Sequence, residues 1–205
     1  MFLMQLSVKH LQMKYYKVTN KKENHRGFQY KDGLNELKEK FNDDPTKSCR
    51  DGAAGLYFTT SEYIHKFMDY GINIREVILP VDDPDFKMVK DPYTENGEVY
   101  RANKIILGHK YKLAFSSHGD LVNTILIFNL FKYDKFIDWF ASSGRINMLY
   151  WLQENNHEIK ITNDTIDLAS KYGREYILDF FSINRYDFKY SENAVATSYI
   201  KIDNS

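Results

Sequence analysis

Phe136-Ile137-Asp138-Trp139-Phe140-Ala141-Ser142-Ser143-Gly144-Arg145 is answered 29 residues later by Thr165-Ile166-Asp167-Leu168-Ala169-Ser170-Lys171-Tyr172-Gly173-Arg174. The register then continues without a gap. Leu149 meets Leu178, Trp151-Leu152 meets Phe180-Phe181, Asn155 meets Asn184, and Ile159-Lys160 meets Phe188-Lys189. A constant period of this length marks stacked supersecondary units, because one unit cannot bury its apolar face without neighbours. Two copies are therefore expected, 136–164 and 165–193, each reading as helix, tight turn, helix and loop.

Within a copy, the signals are local. Asn163-Asp164-Thr165 supplies a helix start, with Asp167 placed to reach back to open backbone N–H groups. Gly173 stops that helix, since glycine takes a left-handed backbone conformation without a Cβ clash. Ile177, Leu178 and Phe181 fall at helical spacing in the segment that follows, as Met148, Leu149 and Leu152 do in the first copy. These are predicted core positions.

Upstream the pattern changes to short β-like runs bounded by turn residues: Tyr15–Val18, Phe28–Tyr30, Gly55–Thr59, Ile74–Leu79, Phe86–Val89, Val99–Tyr100 and Lys104–Leu107. Two helices are predicted among them, Leu34–Phe41 and one that Ser61 caps and that runs to Tyr70, with Ile64, Phe67 and Met68 on one face and Gly71 ending it. Asn96-Gly97 reads as a hairpin turn. The expected organisation is an N-terminal extension over 1–13, a mixed α+β domain over 14–113, a joining segment or worn repeat over 114–135, the two repeats, and a truncated third repeat or tail over 194–205. Met13 is as good a start as Met1, and 193–205 is expected to be the least ordered segment apart from the N-terminus.

Composition narrows function by exclusion. The 205 residues carry 28 basic and 28 acidic side chains, so no global field draws the chain to nucleic acid or anionic lipid. One cysteine, Cys49, rules out an internal disulfide framework and a cysteine-based zinc site. The six histidines lack the paired helical spacing of a metal site, and no glycine-rich phosphate loop is present. Asp82-Asp83-Pro84-Asp85 reads as a solvated turn. Met1–Leu6 has no basic flank and no cleavage site, so no signal peptide is expected. The longest apolar run, Thr124–Phe131, is far shorter than the roughly 18 residues of a membrane span. The 16 tyrosines and 14 phenylalanines could serve a binding surface, since a tyrosine ring offers rigid contact area with a polar tip, but an A/T-rich coding sequence would raise Phe, Tyr, Ile, Asn and Lys together without any function, and that reading is preferred.

Ala169-Ser170-Lys171-Tyr172-Gly173 resembles the Ala-Ala-x-x-Gly segment that closes the first helix of an ankyrin repeat, and Phe140–Gly144 is its degenerate partner. Thr165-Ile166-Asp167-Leu168 stands where that family has Thr-Pro-Leu-His, and the period falls short of the usual length of about 33. The resemblance implies a fold class of an α+β N-terminal domain followed by a short all-α ankyrin-like helical stack. It also implies that the positions before each closing glycine lie exposed near a binding face. Ser142, Ser143, Lys171 and Tyr172 are then the candidate partner-binding residues, with Arg145 and Arg174 just beyond.

The N-terminal half has a resemblance of its own. It rests on Tyr16-Lys17-Val18-Thr19-Asn20, Gly27–Asn35, Gly55-Leu56-Tyr57-Phe58-Thr59-Thr60, Ile74-Arg75-Glu76-Val77 and Arg101–Gly108. That order is similar to the domain preceding the repeats in ankyrin-repeat proteins of giant viruses of the mimivirus group. The expected function is a non-enzymatic protein-protein interaction. No catalytic, cofactor-binding or metal residue, nucleic acid or membrane is expected, and an intracellular location is, in the host cytoplasm if the chain is viral. A second reading comes from Gly55–Thr59, the following helix and Ile74–Pro80, which are similar to the second-strand region of ADP-ribosyltransferase-like folds. That resemblance places Tyr57 on the wall of a nucleotide cleft, although Tyr16-Lys17-Val18-Thr19 lacks the His or Arg that would hold the nucleotide.

Overall fold

All five residues of Tyr15–Thr19 are buried, which requires neighbours on both sides and both faces of this strand, β1. It lies inside a seven-stranded antiparallel sheet. The computed structural model describes residues 13–92, 98–113 and 118–186. The further strands are β2 (Asn24–His25), β3 (Phe28–Gln29), β4 (Gly33–Glu36), β5 (Leu56–Thr60), β6 (Asn73–Ile78), β7 (Met88–Lys90), β8 (Val99–Ala102) and β9 (Lys104–Lys112). Their order in the large sheet is β4-β9-β6-β1-β5-β8-β7, while β2 and β3 form a separate hairpin. Its two-residue turn, Arg26-Gly27, has positive φ at both positions, the mirror-image geometry that suits the strand twist.

One face of the sheet carries an apolar cluster that includes Tyr15, Tyr30, Leu56, Phe58, Val77, Tyr100, Ile105 and Leu107. On the other face, helix α1 (His118–Phe128) brings Phe128 edge-on to Tyr16 and Tyr111, at 4.8 and 5.1 Å between ring centroids. Offset and edge-on aromatic pairs gain about 0.5–1.5 kcal/mol beyond their buried area. The Thr124 hydroxyl donates to the Lys112 carbonyl at 3.2 Å, tying α1 to the end of β9.

Two fully buried arginines stand in this sheet. Arg75 on β6 donates to Glu23 at 2.9 Å, to Asp32, and to the Gly108 carbonyl at 3.1 Å. Arg101 on β8 donates to the carbonyls of Asn42 and Asp44, at 3.0 and 2.6 Å, and pairs with buried Asp91 at 3.5 Å. Asp91 in turn accepts the Cys49 N–H at 3.0 Å. Arg101, together with Asp91, holds the long 37–55 connection, which has little apolar residue content of its own, onto the sheet, while Arg75 fastens the chain at Glu23 and Asp32.

The helix expected over Leu34–Phe41 does not form, and Gly33–Glu36 is instead the edge strand β4 on β9. The reason is Asn35. Its buried amide donates to the carbonyls of Lys31 and Gly33, both at 2.8 Å, and accepts the Lys31 N–H, giving the backbone a local alternative to the helix. The second expected helix is shorter and of the tighter 3-10 kind, Ile64–Tyr70, and Ser61 does not cap it. Gly71 ends it because Ile72 N–H bonds to the Thr19 carbonyl, and a Cβ at Gly71 would lie 2.1 Å from that oxygen. Asp82–Asp85 is a turn, with Asp83 paired to Lys104 at 2.8 Å.

The described residues divide into two compact units at Phe128/Asn129. In the second, helices α2 (Asp134–Ser143), α3 (Ile146–Glu154), α4 (Asn163–Lys171) and α5 (Glu175–Ile183) form two hairpins whose backbone repeats with the sequence. Gly144 and Gly173 both take positive φ, at 74° and 64°. Arg145 and Arg174 follow at φ −92° and −94°, each with ψ 57°. Helix α2 packs on α4, and α3 on α5. Met148, Leu149, Leu152, Ile177 and Phe181 are buried, while Leu178 is only half-buried. The start of α4 is capped by Thr162 rather than Asn163, because the Thr165 hydroxyl returns to the Thr162 N–H at 3.0 Å and completes a reciprocal box. The expectations on 1–12, Asn96-Gly97, 188–193 and the tail lie outside the described residues.

Candidate functional site

The six repeat positions singled out by sequence take two different roles. In the first copy, the Ser142 hydroxyl donates to the Trp139 carbonyl at 3.2 Å, and that of Ser143 bonds back to the same carbonyl, so both are turned onto their own helix. Arg145 is 7% exposed and lays its guanidinium 3.6 Å from the Trp139 ring. Burial pulls its pKa down to about 10. Arg174 donates to the Ser142 carbonyl at 3.1 Å, and Tyr176 donates to the Gly144 carbonyl at 3.2 Å. Both side chains thereby join the second copy to the first.

Lys171 and Tyr172 are different. Both are exposed, Tyr172 at 51%, and the Lys171 ammonium sits 5.8 Å from the Tyr172 ring. They end α4 just ahead of Gly173, which leaves their side chains on solvent with a rigid helix hairpin beneath them. Gly144 shows how tight that hairpin junction is: a Cβ there would meet the Tyr176 hydroxyl at 2.2 Å and the Arg174 Nε at 3.1 Å. Gly144→Ala is therefore expected to lower stability by roughly 1–3 kcal/mol through strain at positive φ and loss of both bridges. Chemical denaturation followed by circular dichroism measures it, and an unchanged midpoint would refute the bridging role.

The sheet holds a second candidate site that sequence spacing did not reveal. Strand β1 is paired with β6 along its whole length, from Tyr15↔Val77 to Thr19↔Asn73, but with β5 only at Tyr15↔Thr60 and Tyr16↔Thr59. Beyond Tyr16 the strands part. The opened backbone needs a partner for its carbonyls, and the Lys17 ammonium supplies one by donating to the Tyr57 carbonyl at 2.7 Å. A cleft of about 290 Å³ opens at this split, lined by Lys17, His25, Arg26, Tyr30, Cys49, Tyr57 and Tyr70 among others.

The cleft is aromatic and carries two cations, Lys17 and Arg26, with the carboxylates of Asp91 and Glu39 also on its lining. Lys17 is 5% exposed and lies 4.7 Å over the face of Tyr30. Burial, with the Arg26 cation adding to it, pulls its pKa from an ordinary 10.5 down to about 7. His25 is held below its usual value by burial and by the same two cations, and its ring lies 5.4 Å from Tyr70. Burial pushes Tyr57 up to about 12 even though Arg101 opposes the shift, and its hydroxyl donates to the Ala53 carbonyl at 2.6 Å. Cys49 is pushed up by burial and by Asp91, so it is a poor nucleophile. Tyr57 thus stands on the wall of a cleft, and the cation that β1 contributes there is Lys17. No group of three or more potential metal ligands occurs among the described residues. No helix among them is long and apolar enough to cross a membrane.

The chain is similar to several known proteins. A protein of Acanthamoeba polyphaga mimivirus described as a putative ankyrin repeat protein is 38% identical over 168 residues, which cover 81% of this chain and 80% of that protein. An uncharacterized protein of the same virus is 54% identical over 99 residues, 48% of this chain and 67% of its own length. Another putative ankyrin repeat protein of the virus is 47% identical over 98 residues, 48% of this chain but 28% of that protein. No family model and no solved structure matches the chain.

Proposed function

Because the chain belongs to the mimivirus group of ankyrin repeat proteins, we propose that its second unit is a short ankyrin-like stack that binds a protein partner without catalysing a reaction. The relatives' names support an interaction role. The observation that carries the reading to named residues is the division of labour across the repeat. Ser142, Ser143, Arg145 and Arg174 are engaged within the unit, whereas Lys171 and Tyr172 are free to meet a partner. A tyrosine offers rigid contact area with a polar tip, and a neighbouring lysine adds charge selectivity.

The test is a pull-down from host-cell lysate with wild type and with Lys171→Ala/Tyr172→Ala, quantified by mass spectrometry. Both side chains are exposed, so stability should change by less than about 0.5 kcal/mol. A partner captured by wild type is expected to be depleted about tenfold or more by the double variant, in line with loss of a central aromatic contact. Equal capture by the two proteins would remove this pair from the binding face.

A further inference from the structure

We infer that the cleft at the β1–β5 split is a binding site for a small ligand that combines one planar aromatic ring system with one anionic group, the nucleoside monophosphate class. The site lies in the first unit, and the inference is independent of the repeat surface. Three observations carry it. First, the cleft is made by the fold: the sheet gives up its ladder between Lys17–Thr19 and Leu56–Phe58 while both strands stay paired on their outer sides. An opened ladder costs backbone hydrogen bonds, and here the cost coincides with a cavity.

Second, the charge is uncompensated. Among the described residues neither Lys17 nor Arg26 has a carboxylate partner in an ion pair. The acids that also line the cleft are Asp91, committed to Arg101, and Glu39, which is exposed. A buried ammonium that, among the described residues, meets a carbonyl and a ring face is stabilised by an incoming anion. Third, the walls suit a ring. Tyr30 presents a face beneath Lys17, and Tyr70 and His25 stand together at the rim. The volume is at the low end for ligand pockets, which favours one ring system with one anionic group over a dinucleotide.

The experiment is calorimetry on the full chain at pH 8 with adenosine 5′-monophosphate, adenosine and inorganic phosphate as probes. The monophosphate is expected to bind about tenfold or more tightly than either fragment, because only it engages both the rings and the cations. Repeating the titration in buffers of different ionisation enthalpy is expected to show uptake of about one proton, since the anion restores the charge of Lys17. Arg26→Asn, chosen because asparagine tolerates the left-handed conformation at this exposed turn, is expected to weaken binding about tenfold without unfolding the chain. Lys17→Met is expected to abolish the proton uptake. No heat with any probe at millimolar concentration overturns the inference, as does undiminished binding by Arg26→Asn. Equal affinity for adenosine or for phosphate alone overturns it too.

Discussion

Arg101→Met is expected to lower the free energy of unfolding by about 3–5 kcal/mol, a large share of the roughly 5–15 kcal/mol that holds a domain folded. Arg101 is fully buried, and the substitution leaves Asp91, also fully buried, as a carboxylate without its guanidinium. It also releases the carbonyls of Asn42 and Asp44, so the 42–55 stretch loses its main attachment to β8. Adding Asp91→Asn should recover part of the loss, because the amide oxygen can still accept the Cys49 N–H while no buried carboxylate is left without its guanidinium. Urea denaturation of the single and double variants measures both terms. A single variant with the wild-type midpoint, or a double variant less stable than the single one, would contradict this account.

The second large effect is a pH dependence that Lys17→Met should erase. Lys17 gives up its proton near pH 7 in the folded chain and near 10.5 when unfolded, so between these values the unfolded chain binds more protons and stability rises with pH. Below pH 7 both states are protonated and the burial penalty is at its full value. The groups around Lys17 are Arg26 and His25 on the hairpin, Arg75 opposite on β6, Tyr57 on β5, Tyr30 beneath it, and Cys49 and Asp91 along the cleft. Tyr57 titrates above this window, and His25 below it. Cys49, pushed above its ordinary 9, works in the opposite direction only beyond that point. From pH 7 to 9 wild type is therefore expected to gain on the order of 2 kcal/mol relative to Lys17→Met. Parallel stability curves for the two proteins over that range would show that the lysine is solvated like any other.

What could be seen in the sequence followed from periodicity and from local turn chemistry. The repeat offset reappears in the helix starts and in the paired backbone angles at Arg145 and Arg174, because each copy solves the same packing problem with the same chain length. The strands were legible where β-branched and aromatic residues cluster. Strand β4 was not, since Leu34, Leu37 and Phe41 also fit a helical face and only the Asn35 bonds and the free edge of β9 decide between them. The cleft was legible in a single residue, Tyr57. Lys17 reaches it from β1, Tyr30 from the link after β3 and Cys49 from the 37–55 connection, and it exists because a ladder stops after Tyr16, which no residue spacing encodes. One signal was available: a lysine inside the otherwise buried run Tyr15–Thr19 needs a reason to be there.

The joint between the two helical hairpins has an asymmetry with consequences over many generations. Arg174 and Tyr176 of the later hairpin reach back to main-chain oxygens at Ser142 and Gly144, not to side chains. A main-chain oxygen is supplied whatever residue a mutation installs, so drift at Ser142 leaves these two contacts intact provided the glycine turn survives. At these two contacts only the later hairpin must carry matched side chains, whereas the Thr165 hydroxyl donating to the Asp138 carboxylate and the Gln153 amide donating to Asn184 at 2.6 Å need a side chain from each hairpin. One-sided contacts of this kind suit duplication: a copied unit bearing an arginine and a tyrosine at these places can make them on a predecessor that ends in the same turn, while Ser142 and Ser143 remain open to change.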